Sequence, residues 1–88
     1  MGLYKIELKK SAEKDLNKIP QKLIYKILKT VEGLRNNPFP RGVRKITGTE
    51  KFFRIRIGDY RIIYHVDEEN KIVTIYYIRH RREAYRRF

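Results

Sequence analysis

One turn constrains this chain more than any other feature. In RIRIGDYRIIY, residues 54–64, two alternating runs flank Gly58-Asp59, and glycine at the first loop position accepts the positive φ that a two-residue hairpin requires. With those two residues as the loop, Ile57 pairs with Tyr60, Arg56 with Arg61, Ile55 with Ile62, Arg54 with Ile63 and Phe53 with Tyr64. Side chains directly opposite share a face of the sheet. One face is then Phe53, Ile55, Ile57, Tyr60, Ile62 and Tyr64, to which a third run adds Val73, Ile75 and Tyr77. The other carries Phe52, Arg54, Arg56, Arg61, Ile63 and His65, with Thr74 and Tyr76 from the third run. Arg56 opposite Arg61 costs about a few tenths of a kcal/mol relative to a neutral pair. No acid on that face is placed to offset it, so the cations call for a functional reason.

The rest of the chain supplies a scaffold. YKIEL, residues 4–8, alternates Tyr4, Ile6 and Leu8 against Lys5 and Glu7, the period of a half-buried strand. Ser11 is placed to cap a short helix with Glu13 and Asp15 in its first turn, ending near Ile19-Pro20. A second helix follows, with an apolar stripe at Leu23, Ile24, Ile27, Leu28, Val31 and Leu34. Arg35 sits near its negative end, and Asn36-Asn37-Pro38 closes it. FPRGVRKITGT, residues 39–49, reads as a loop with a short edge strand around Val43 to Ile46. Strands are expected at Lys51 to Ile57, Tyr60 to Val66 and Lys71 to Ile78, and RHRREAYRRF forms a short helix or tail. The expected fold is α+β, β-α-α-β-β-β with one possible extra strand: a twisted antiparallel sheet packed on a helical hairpin. Eighty-eight residues without a linker make a single domain, 1–88.

Charge selects the partner. Lys+Arg 22 against Asp+Glu 10 gives a net charge of +12 and a pI near 10.2, which favours a polyanion, with an acidic protein that masks the charge as the second expectation. The lysines crowd the first forty residues, whereas only Arg35 among the arginines precedes Pro40. Arginine's planar fork suits bidentate phosphate contact better than lysine's hydrated point charge, so function is expected in the second half. Arginines paired across strands and interleaved with aromatics suit phosphate clamping and base stacking. The third strand delivers Arg79, His80, Arg81, Arg82 and Tyr85 beside that face; His80 on its own reads as a hydrogen-bonding surface histidine. With two histidines and no cysteine, neither a metal site nor any other cofactor is expected. No apolar run reaches the roughly 18 residues of a membrane span, and the chain reads as cytoplasmic.

KKSAEKDLNKIP, LRNNPFPRGVRKITG, FFRIRIGDYRIIYHV and IRHRREAYRR together resemble the RelE/ParE superfamily of toxin–antitoxin toxins over nearly the whole chain. The resemblance implies a β-α-α-β-β-β core with a terminal helix or tail. It also implies one of two activities: cutting messenger RNA in the ribosomal A site, as RelE-type members do, or inhibiting DNA gyrase without nuclease chemistry, as ParE-type members do. The basic residues favour the ribonuclease branch. Arg54 and Arg56 then match its basic residues before the hairpin turn, Arg61 the one after it, and Arg81 or Arg82 the arginine after the last strand. Tyr85 stands for its base-stacking tyrosine, and His80 is similar to the terminal histidine of another branch. Metal-free cleavage uses the neighbouring 2′-OH as nucleophile, with Arg61 and Arg81 stabilising the phosphorane and Arg54 and Arg56 orienting the backbone. His80, Tyr85 or an arginine of lowered pKa remain open as the base. Arg44, Lys51, Tyr76, Arg79 and Arg82 are the further candidates for RNA contact. The implied partners are the ribosome, mRNA and an acidic RelB-like antitoxin.

Overall fold

A computed structural model describes residues 3–82 of the chain. Among them run β1 (Lys5–Leu8), α1 (Lys10–Leu16), α2 (Gln21–Gly33), β2 (Arg44–Lys45), β3 (Phe52–Ile57), β4 (Tyr60–Asp67) and β5 (Ile72–His80). The strands form one sheet in the order β1-β5-β4-β3-β2. The hairpin register is the expected one, from Ile57 opposite Tyr60 to Phe53 opposite Tyr64. Gly58 turns it with φ 58°, as a type II′ loop requires.

The sheet departs from the expected all-antiparallel arrangement at its edge. β1 lies parallel to β5, Lys5 opposite Ile72 and Leu8 opposite Ile75. Alternation along a strand fixes which side chains share a face but says nothing about which edge that strand joins.

The helical hairpin packs on the apolar face. Ala12, Ile19, Ile27, Val31 and Leu34 meet Ile55, Ile62, Tyr64, Val66, Val73, Ile75 and Ile78 in one core. Tyr64 is wholly buried within it, and its hydroxyl donates to the Pro38 carbonyl at 2.7 Å. Burial pushes its pKa above the ordinary tyrosine value. The bond anchors the chain leaving α2 to the middle of the sheet, which fixes where the following arginine-bearing loop begins.

A bulge decides what β5 presents. Ile63 faces Tyr77 and Tyr64 faces Ile75, leaving Tyr76 as the extra residue. Tyr77, expected in the core with Val73 and Ile75, therefore lies on the opposite face with Ile63. Strict alternation from Ile75 would have driven Arg79 into the core and turned Ile78 out. The bulge reverses both, and Ile78 is 2% exposed.

That opposite face is not wholly open. Ile46 folds over it onto Ile63, with Phe52 and Tyr77 packed alongside. Full burial of an isoleucine is worth about 1.5–3 kcal/mol, so this small second core holds the loop from β2 to β3 against the sheet.

Helix α1 is displaced from its expected caps. It starts at Lys10, with Lys9 as its N-cap residue, and Ser11 lies within it; the Ser11 hydroxyl donates to the Tyr76 carbonyl. Glu13 occupies the first turn as expected, whereas Asp15 lies beyond it and is buried. The Lys9 N–H donates to the Ile75 carbonyl, and the Ile78 N–H donates to the Asp15 carboxylate. Where β1 stops, α1 thus takes over pairing the exposed edge of β5.

Candidate functional site

The register collects the arginines of β2, β3 and β4 on one face. Arg44 lies opposite Arg54, and Arg56 lies opposite Arg61. Together with Arg41 they line a groove of about 520 Å³ whose remaining walls are Gly42 and Ile55. Arg41 was not among the candidates read from the sequence; it stands in a loop, where no periodicity reports direction.

Two of these guanidinium groups converge on the hairpin turn. Arg56 Nε donates to the Gly58 carbonyl at 3.3 Å, and Arg61 donates from Nη1 to the same oxygen at 3.5 Å and to Tyr60 O at 3.2 Å. Arg61 Nε is buried without a hydrogen-bond partner. A buried donor left unpaired costs about 1–3 kcal/mol, and such a cost persists where a ligand completes the set. Among the described residues no carboxylate forms an ion pair with Arg41, Arg44, Arg56 or Arg61. The backbone N–H of Arg81 donates to Asp59 O at 2.7 Å, which brings the end of β5 to the same turn.

Other candidates lie elsewhere. Arg79 is on the arginine face opposite Arg61, but its Nε donates to Asp15 at 3.1 Å and its guanidinium lies 4.3 Å from the Tyr77 ring. Asp15 thus comes from α1 to neutralise Arg79, whereas among the described residues no carboxylate offsets the Arg56–Arg61 pair, as expected. His80 lies opposite Tyr60, whose ring is 5.5 Å away and packs on the main core. Strand alternation therefore turns His80 away from the arginine groove. Arg79 and His80 also extend β5 two residues beyond the expected end, since Asp15 and Tyr60 supply partners that a polar strand end needs. His80 Nδ1 accepts the N–H of Arg82, which is exposed.

Lys51 is exposed at the far end of β3, near Asp67. Hydrogen bonds from Asn70 hold the Asp67 carboxyl below its ordinary range, with Lys51 a smaller contributor. Tyr76 belongs to an aromatic cluster at that end, with its ring 5.0 Å from Phe52 and Lys9 Nζ 5.3 Å from its centroid. Tyr85 lies outside the described residues.

A two-helix layer on a small mixed sheet has close counterparts. Residues 6–85 match the family described as the ParE toxin of the type II toxin–antitoxin system parDE. A putative toxin RelE1 of Methanocaldococcus jannaschii is 30% identical over 86 residues, covering 94% of this chain and 96% of that one. Toxin RelG of Mycobacterium tuberculosis is 32% identical, with 96% and 98% covered. In the archaeal RelE–RelB complex from Pyrococcus horikoshii, one chain superposes with a TM-score of 0.81 at 31% identity, covering 93% of this chain and 99% of that one. The family match and the fold make this a type II toxin–antitoxin toxin. The chain belongs to the RelE/ParE toxin family.

Proposed function

We propose that this toxin is a ribosome-dependent endoribonuclease that cleaves mRNA in the A site. The observation that carries the reading is the groove of five arginines containing the unpartnered Nε of Arg61. In the proposed step the 2′-oxygen attacks the adjacent phosphorus while its proton leaves to a base. The P–O5′ bond breaks, and the 5′-oxygen takes up a proton, leaving a 2′,3′-cyclic phosphate and a free 5′-hydroxyl. Arg61 would stabilise the added charge on phosphorus, with Arg81 drawn to the same place by its bond to the turn. Arg54 and Arg56 would hold the backbone in line. The groove lining is arginine, glycine and isoleucine, which supplies charge and position but no group that titrates near neutrality. An enzyme so equipped gains from a ribosome that holds the message bent and in place, and its site of action is the cytoplasm.

Toeprinting on a ribosome with a defined A-site codon tests this. New 3′ ends within that codon on adding the toxin are expected. Intact messages, together with lost supercoiling by purified gyrase, would instead assign the gyrase-inhibiting activity of the family's other branch.

The reading includes an acidic antitoxin. On α2, Tyr25 is 63% and Leu28 44% exposed, beside a shallow depression lined also by Lys29, Glu32, Gly33 and Asn36. Exposed Lys22 and Lys26 rim this apolar strip, which suits the apolar face of an amphipathic helix with acidic flanks. Replacing Tyr25 and Leu28 together by alanine is expected to weaken antitoxin binding by about tenfold or more, since exposed aromatics are frequent anchors. Titration calorimetry showing unchanged affinity would place the antitoxin elsewhere.

A further inference from the structure

Among the described residues an acid pairs with Arg79 on the arginine face, and it comes from the other layer of the fold. Asp15 on α1 is 7% exposed. Its carboxylate accepts the Ile78 N–H at 2.9 Å and Arg79 Nε at 3.1 and 3.2 Å. Arg79 is held from its second side by the Tyr77 ring. The register nonetheless sets Arg79 directly opposite Arg61 and Arg61 directly opposite Arg56, a row of three guanidinium groups across β5, β4 and β3. Within that row the cations differ in kind. Among the described residues Arg79 has a carboxylate and an aromatic face, whereas Arg56 and Arg61 have only carbonyl oxygens.

We propose that Asp15 is a positioning residue that withdraws Arg79 from the groove, so that Arg61 meets the RNA phosphate without a competing cation on its β5 side. The proposal rests on the reading of the groove as an RNA site. Charge supports it: an unpaired Arg79 would lie one strand from Arg61, where a phosphate could bridge the two and seat the backbone out of line. Topology supports it as well. The same carboxylate fixes Ile78 at the end of β5, three residues before Arg81 meets the hairpin turn, so one side chain both neutralises the neighbour and holds the strand that carries the next arginine.

A helix-to-sheet clamp with no bearing on the groove predicts something different, and Asp15→Asn separates the two. The amide oxygen still accepts the Ile78 N–H, while the charge that holds Arg79 is gone. Binding of a twelve-nucleotide single-stranded RNA is followed by fluorescence anisotropy from 50 to 500 mM salt. With Arg79 released, D15N is expected to bind about three- to tenfold tighter at 50 mM, with a log–log salt slope steeper by about 0.7, the value of one added single-strand phosphate contact. The double variant D15N/R79Q is expected to return to within about twofold of wild type, because no cation is then freed. On programmed ribosomes, D15N should show a lower KM and a lower kcat together, the mark of tighter but misaligned binding.

Folded D15N with wild-type affinity and slope would sink the proposal. Should D15N not fold, R79Q decides alone: unchanged RNA affinity supports the withdrawal, and a loss of about fivefold with a shallower slope overturns it by making Arg79 a groove contact. A wild-type protein without salt-dependent RNA binding would remove the groove reading and this inference with it, whereas a binding wild type with an unresponsive D15N removes this inference alone.

Discussion

Arg61→Ala is expected to lower cleavage of an A-site codon by about 10²–10³-fold, the usual effect of removing one preorganised charge donor from a developing oxyanion. The same substitution is expected to leave the fold intact or to stabilise it. Arg61 buries its Nε without a partner and faces two other arginines across the sheet; alanine removes the orphan donor and both like-charge contacts. Against this stands the hydrogen bond that Nη1 shares between Tyr60 O at 3.2 Å and Gly58 O at 3.5 Å, worth about 0.5–1.5 kcal/mol net. The two sides nearly cancel. A large activity loss with an unchanged or raised melting temperature is the pattern of a residue kept for function at some expense of stability. Arg61→Lys should recover only part of the rate, because an ammonium restores charge but not the two-pronged geometry. Arg56→Ala should cost less, since Arg56 is exposed and its Nε already donates to Gly58 O. Wild-type cleavage by Arg61→Ala in toeprinting would remove Arg61 from the chemistry.

The parts of this fold legible in the sequence are those fixed by near neighbours. Gly58 and Asp59 set the hairpin register, and the register alone brings Arg56 against Arg61. Leu23, Ile24, Ile27, Val31 and Leu34 marked the buried side of α2, whereas Leu28, read as part of the same stripe, lies exposed at its margin. What escaped depends on distant contacts. The parallel pairing of β1 with β5 joins residues nearly seventy positions apart. Asp15 read as a first-turn acid because its partners, Ile78 and Arg79, lie 63 and 64 residues away. The bulge at Tyr76 could have been suspected: Val73, Ile75 and Ile78 are all apolar, yet the last breaks the period of two. Missing that one step put Tyr77 on the core side and hid the turning of His80 to the helix side, whereas the pairing that occupies Arg79 depends on the distant Asp15. The loop residue Arg41 joins the site only because Tyr64 and Ile46 anchor the segment on either side of it.

Salt offers the second large effect. Single-stranded RNA releases about 0.7 counterion per phosphate neutralised, so a strand that meets four of the five groove arginines should give a log–log slope of about −2.8. Raising salt tenfold, from 50 to 500 mM, is then expected to weaken binding by about 600-fold, because the affinity scales as salt to that power. The location of the charge, not its total, sets this number. Changing Lys22, Lys26 and Lys29 on α2 to glutamine takes the net charge from +12 to +9, since 12 − 3 = 9. These lysines are exposed on the helix layer, behind the sheet from the groove, and their loss should slow association without changing the slope. Removing one groove arginine should flatten the slope by about 0.7 while lowering net charge by a single unit. A slope shallower than about −1 would mean that stacking rather than phosphate contact carries the affinity. A slope that followed the α2 lysines instead would move the RNA to the helix face, and the arginine groove would lose its ligand.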